Sequence, residues 1–187
     1  MRKQSSIAQI AIFFAIMLVL HLLSSVIFNL LPVPIKPTII HIPVIIASII
    51  YGPRIGAVLG ALMGVISVVT NTVVLLPTSY LFSPFVENGS INSFMIAMVP
   101  RILIGITPYF VYKWMKTKPG LVLAGAVGSM TNTIFVLGGI FILFSSVYNG
   151  DIKAMLALIF SANAISEMII SAILTVAIVP ALEKLKK

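Results

Sequence analysis

The sequence predicts an all-α integral membrane bundle of six transmembrane helices with both termini cytoplasmic, and three observations carry that prediction. Hydrophobic residues make up 60% of the 187, charged residues only 9%, and the mean hydropathy is +1.19, far from the balance of a soluble domain. The apolar residues run in six stretches, near 7–31, 37–51, 54–72, 91–113, 120–146 and 152–182, separated by polar, Pro or Gly punctuation. With the N-terminus inside, nine cationic residues (Arg2, Lys3, Arg54, Lys113, Lys116, Lys118, Lys184, Lys186, Lys187) fall at inner ends and two, Lys36 and Lys153, in outer loops. That excess of inner charge sets the orientation. So many helices leave no room for a soluble domain, and 1–187 is read as a single transmembrane domain.

Arg2 and Lys3 ahead of an apolar run could open a secretory signal, but Ile7–Leu23 exceeds a signal core and no small-x-small cleavage site follows. The segment is therefore the first helix. Ala8, Ala11 and Ala15 give it a small-residue face in its cytoplasmic half, and His21 lies mid-membrane, satisfied by a neighbouring helix. The connection from Leu31 to Thr38 is stiffened by three prolines. His41 follows, read either as a donor to a ligand at the rim or as bonded to backbone. The second helix is short for a span, and Pro37 and Pro43 leave its start open. In the third, Gly56, Gly60 and Gly64 recur every fourth residue, a pattern for close helix packing, and Ser67 and Asn71 continue that face outward.

The connection from Thr72 to Ser90 is the longest and carries Leu76, Tyr80, Leu81, Phe82 and Phe85. Such residues are not left in water, so the loop folds back over the bundle as a lid or dips into the headgroup layer. As a lid it brings the Tyr80 ring and hydroxyl to a ligand. The fourth helix carries Arg101, the fifth a stripe of Gly125, Gly128, Ser129 and Asn132, and the sixth Asn163, Glu167 and Ser171 on one face.

Arg101 and Glu167 are charges set deep in apolar segments, where a lone charge costs roughly 3 kcal/mol or more on insertion scales. Such residues face a partner, a cavity or a ligand. Arg101, Asn132, Asn163 and Glu167 all reach the middle or outer-middle of the membrane, so three helices can ring one pocket, with Asn71, Tyr80 and His41 at its rim. Two readings follow for the arginine. Paired with Glu167 it clamps two helices and leaves a nearly neutral pocket; unpaired, its planar fork suits bidentate capture of a carboxylate.

Other chemistry has little to stand on. There is no cysteine, no phosphate-binding G-x-x-x-x-G-K-[ST] loop, no H-E-x-x-H and no G-x-S-x-G, and two histidines without clustered carboxylates build no metal centre. No cofactor is expected. The net charge of +8 is distributed for orientation and contact with the lipid bilayer, with no basic, aromatic-interleaved stripe for nucleic acid. The Pro53-Arg54-Ile55 and Pro100-Arg101-Ile102 echoes lie in different helical registers, so the internal repeat of a secondary transporter is absent.

The runs His41–Gly60, Thr78–Phe85, Pro100-Arg101-Ile-Leu-Ile-Gly105 and Asn163-x-x-x-Glu167 resemble the substrate-binding S components of energy-coupling factor (ECF) vitamin transporters over nearly the whole chain. Ala11-x-x-x-Ala15 matches the motif by which such proteins dock onto a coupling subunit. The resemblance implies a multi-pass protein of the bacterial cell membrane, not an enzyme. It would bind one small-molecule vitamin under an external lid and work with an ECF module of one transmembrane coupling protein and two ABC-type ATPases. The family's proposed toppling in the membrane suits the smooth apolar exterior. The loop and the His-Ile-Pro-Val segment look most like the pantothenate type, whose ligand carboxylate gives Arg101 a purpose; pyridoxine, hydroxymethylpyrimidine and riboflavin are the alternatives. Outside this family, the competing classes are a small intramembrane enzyme using Glu167 or His41, and an oligomeric channel lined by Arg101 or Glu167.

Overall fold

A computed structural model describes residues 5–30, 38–148 and 151–186. The proline-rich connection at 31–37, with Lys36, and the terminal charges Arg2, Lys3 and Lys187 lie outside the described residues. Within them the chain is all-helical: α1 (Ser6–Leu30), α2 (His41–Tyr51), α3 (Pro53–Val73), a 3₁₀ turn (Ser79–Leu81), α4 (Ile91–Ile104), α5 (Thr107–Trp114), α6 (Lys118–Leu143), α7 (Ser145–Tyr148), α8 (Ile152–Ile159) and α9 (Ala162–Lys186). Five stretches among the described residues are long and apolar enough to cross a membrane: Ser6–Ile27, Pro53–Val73, Ile91–Trp114, Lys118–Leu143 and Ile152–Leu185.

The sixth expected helix, α2, is 11 residues long and so rises only about 16 Å. Its position explains its composition. His41 to Ile50 are all buried, with α1, α3, α5, α6 and α9 packed around them. A helix that is apolar all round belongs in a core, and Val44, Ile45 and Ala47 sit at the centre of this one. Gly52 turns the chain from α2 into α3 at φ 98°, ψ 169°, a conformation essentially reserved for glycine, and Pro53 opens α3 where its missing N–H is harmless.

Three expected helices are each broken once; the stretch 120–146 parts at Phe144, between α6 and α7. The stretch 91–113 divides at Gly105–Ile106, because Pro108 has no N–H for the Ile104 carbonyl and the Thr107 hydroxyl bonds back to Leu103 O at 3.1 Å. The turn tightens there, with Gly105 N–H reaching Ile102 O and Ile106 N–H reaching Leu103 O. The stretch 152–182 divides at Phe160–Ser161, where the Ser161 hydroxyl accepts the Ala164 N–H and starts α9 afresh. Asp151 caps α8 in the same way through the N–H groups of Lys153 and Ala154.

The glycine stripe of α3 packs as expected. An added Cβ at Gly56 would stand 2.1 Å from the Gly105 carbonyl oxygen, and one at Gly60 would stand 2.1 Å from that of Arg101. The α3 and α4 backbones thus touch directly, as in small-residue contacts between membrane helices. At one end of the bundle lie Arg54, Lys113, Lys116, Lys118 and Lys184, where the Tyr112 hydroxyl donates to Glu183 Oε1 at 3.4 Å. At the other lie the 72–90 loop, α7, α8 and the start of α9.

By contrast α1 is a peripheral helix. Phe13 and Met17 are its buried anchors, and the His21 ring bonds the Thr70 hydroxyl of α3 at 3.2 Å, as expected for a satisfied mid-membrane histidine. Ala11 and Ala15 point away from the bundle and are exposed, beside Ile7, Ile12, Ile16 and Val19.

Candidate functional site

The loop after α3 packs back onto the bundle as a lid. Ser79, Leu81 and Ser83 are buried, and Leu81 sits among Ile96 of α4 and Val136 and Ile140 of α6. Polar ties fix its edges: the Ser83 and Thr72 hydroxyls lie 2.6 Å apart, and the Ser93 hydroxyl donates to the Tyr80 carbonyl. Tyr80 meets Phe144 edge-on with ring centroids 5.8 Å apart. Tyr80, Leu81 and Phe82 thus reach helix partners, whereas Leu76 and Phe85, expected to be covered, are exposed.

Beneath the lid lies Arg101, ten residues into α4 and so about 15 Å from that helix's lid end. Its guanidinium is buried, donates through Nη1 to Ile96 O at 2.7 Å, and lies with Cζ 5.3 Å from the centre of the Phe82 ring. Arg101 Nε finds no acceptor among the described residues. On α6, which packs along α4, Asn132 is eleven residues from the lid end and so at a similar depth, and its buried Oδ1 finds no donor among the described residues. Buried polar atoms are nearly always hydrogen-bonded, so two orphans of opposite kind, a donor and an acceptor, are a pattern that a polar ligand satisfies.

A second polar group joins α2 to α9. Glu167 Oε1 accepts the Thr38 N–H at 2.6 Å, and one helical turn further along α9 the Ser171 hydroxyl bonds the buried His41 Nε2 at 2.8 Å. No ion pair links Arg101 to Glu167 among the described residues; the arginine uses a carbonyl and an aromatic ring, the glutamate a backbone N–H. Through Nε2 His41 reaches the Ser171 hydroxyl. Asn71 donates to Ser67 O of its own helix at 2.9 Å. Asn163, the second residue of α9, is exposed.

Two surface cavities lie nearby. One of about 530 Å³ is formed by the lid itself, between Thr72, Leu76, Tyr80, Phe85 and Glu87; the other, about 380 Å³, is an apolar groove between α4 and α6 lined by Ile96, Pro100, Phe135 and Gly138. Neither is lined by Arg101, Asn132 or Glu167. Among the residues that sequence reasoning gave no role, Phe82 is the most consequential. An aromatic residue in a loop for which a lid was one of two readings, with a buried cation to cover, was the available signal.

The model of the family "ECF transporter, substrate-specific component" matches residues 5–179. The chain belongs to this family. As an ECF substrate-specific component it is a multi-pass protein of the cell membrane and part of a transporter rather than an enzyme. Among characterised relatives, the pantothenic acid transporter PanT of Lactococcus lactis subsp. cremoris is 49% identical over 97% of this chain and 95% of its own. The pantothenate transporter PanT of Leuconostoc mesenteroides subsp. mesenteroides is 30% identical over 76% of this chain and 73% of its own. This ECF component keeps its buried arginine and its lid in one continuous unit, through Phe82 over Arg101.

Proposed function

We propose that this chain is the pantothenate-binding subunit of an ATP-driven ECF uptake transporter. One observation carries the reading: a buried guanidinium, roofed by a lid, whose Nε has no acceptor among the described residues and which has no acidic partner there. A buried cation without a counter-charge is costly, and an anionic ligand supplies one. Pantothenate carries a carboxylate for Arg101 and an amide and hydroxyls for Asn132. Both relatives are named for that vitamin.

In this reading Arg101 and Asn132 grip the ligand and Tyr80 closes over it. Asn71, His41, Asn163 and Glu167 frame the approach from α3, α2 and α9. The helix α2 makes the sixth crossing, the lysine-rich end and both termini face the cytoplasm, and the lid opens outward. The exposed face of Ala11 and Ala15 on α1 docks onto the transmembrane coupling protein of the ECF module, whose two ABC-type ATPases supply the energy that this chain has no motif to supply.

Titration of purified protein with labelled pantothenate tests the assignment. Replacing Arg101 by alanine removes one partner of a buried charge pair, an effect of about 2 kcal/mol or more, or about 30-fold in Kd. Undiminished pantothenate binding by Arg101→Ala refutes the carboxylate clamp. Tight binding of a different vitamin by the wild type, with none of pantothenate, refutes the substrate.

A further inference from the structure

We propose that Pro100 and Phe82 are positioning residues that hold the Arg101 guanidinium in its carboxylate-receiving pose, an inference that rests on Arg101 being the ligand's anion site. The argument starts from the helix itself. In a regular helix the N–H of residue 100 would bond the carbonyl of residue 96, but Pro100 has no N–H and its ring crowds that carbonyl. A buried carbonyl left unfilled in a membrane protein is costly, and every such group needs a donor. Arg101 Nη1 occupies that place, reaching back five residues to Ile96 O at 2.7 Å. The proline creates the acceptor and the next residue fills it.

Which nitrogen is engaged matters. Nη1 lies on the side of the guanidinium away from Nε–H, so engaging it leaves the Nε–Nη2 edge whole, and Nε is the atom with no acceptor among the described residues. That edge is the one that receives a carboxylate side-on with two parallel hydrogen bonds. Phe82 restrains the remaining freedom: Cζ lies over its ring, 5.3 Å from the centroid, and the ring's quadrupole attracts the cation. Tied at Nη1 and held at Cζ, the guanidinium has little freedom left to turn. Because Phe82 belongs to the lid, closing the loop and aiming the arginine become the same event.

The test compares pantothenate with its neutral alcohol analogue, in which hydroxymethyl replaces the carboxylate, on the purified full chain. Wild type prefers the acid, and Arg101→Gln removes the preference. Pro100→Ala gives residue 100 an N–H that competes for Ile96 O, so the acid-over-alcohol ratio falls on the order of fivefold while the thermal midpoint holds or rises. Phe82→Leu lowers the ratio similarly and Phe82→Trp restores it. If Pro100→Ala and Phe82→Leu keep the wild-type ratio, the positioning roles are wrong and the anion site stands. Equal weakening toward both ligands makes the two residues merely structural and overturns the proposal. A wild type that shows no preference for the acid overturns the carboxylate reading and this inference with it. Should Phe82→Leu fail to fold, the Pro100→Ala and Phe82→Trp ratios decide.

Discussion

The contact between Gly60 and the Arg101 carbonyl makes a site that lies on α4 sensitive to one methyl group on α3. An ideal Cβ at residue 60 would stand 2.1 Å from Arg101 O, 2.8 Å from Arg101 C and 3.0 Å from Ile102 Cα, whereas ordinary contact begins at 3.4 Å. All three are backbone atoms, so no side chain can swing aside. Gly60→Ala must therefore part the two helices by about 1 Å, and overpacking of this kind costs about 1–3 kcal/mol. Where that strain opposes the ligand-bound geometry, it weakens pantothenate binding by about fivefold to 150-fold. Calorimetric titration in detergent micelles reads the effect. Gly138→Ala is the control: a Cβ there meets nothing within 4 Å, and its Kd should match the wild type. Wild-type affinity in Gly60→Ala would show that the α3–α4 backbone contact does not set the arginine's position.

Three further outcomes are expected. Ser171→Ala leaves the buried His41 Nε2 without its partner and should destabilise the fold by about 1–3 kcal/mol, read as a lower thermal midpoint. Gly52→Ala should cost about 1–3 kcal/mol although a Cβ there would find open space, because the penalty lies in φ 98° and not in a clash; an unchanged midpoint would contradict this. Ala15→Trp, on the exposed face of α1, should abolish vitamin uptake by cells carrying the ECF module while leaving binding by the purified chain intact; normal uptake would discard the docking role.

Much of the architecture is legible because a bilayer imposes length and polarity rules that individual residues cannot evade. The five long apolar stretches and the packing of Gly56 and Gly60 follow from those rules, and the folding back of Tyr80, Leu81 and Phe82 is one of the two outcomes they left open. The breaks at Gly105 and Ser161 escaped because each arises from a short-range competition, Pro108 with Thr107 in one case and a serine cap in the other, inside stretches still long and apolar enough to cross a membrane. The partners of the buried charges were harder still. Arg101 and Glu167 have opposite signs and comparable depth, which invites pairing, yet each bonds a backbone group instead: the Ile96 carbonyl and the Thr38 N–H. Backbone groups are present at nearly every residue and leave no mark in composition. A proline immediately before the arginine was the local clue that a carbonyl would be available.

The two faces of α1 separate two kinds of evolutionary demand. Phe13 and Met17 answer to the rest of this chain, while Ala11 and Ala15, a few residues away along the same rod, are exposed and, if the proposed docking holds, answer to the coupling protein. Substitutions on the outer face leave the packing around Phe13 and Met17 undisturbed. A family of carriers for unlike nutrients could share a motor by holding that one stripe constant and letting everything behind it diverge.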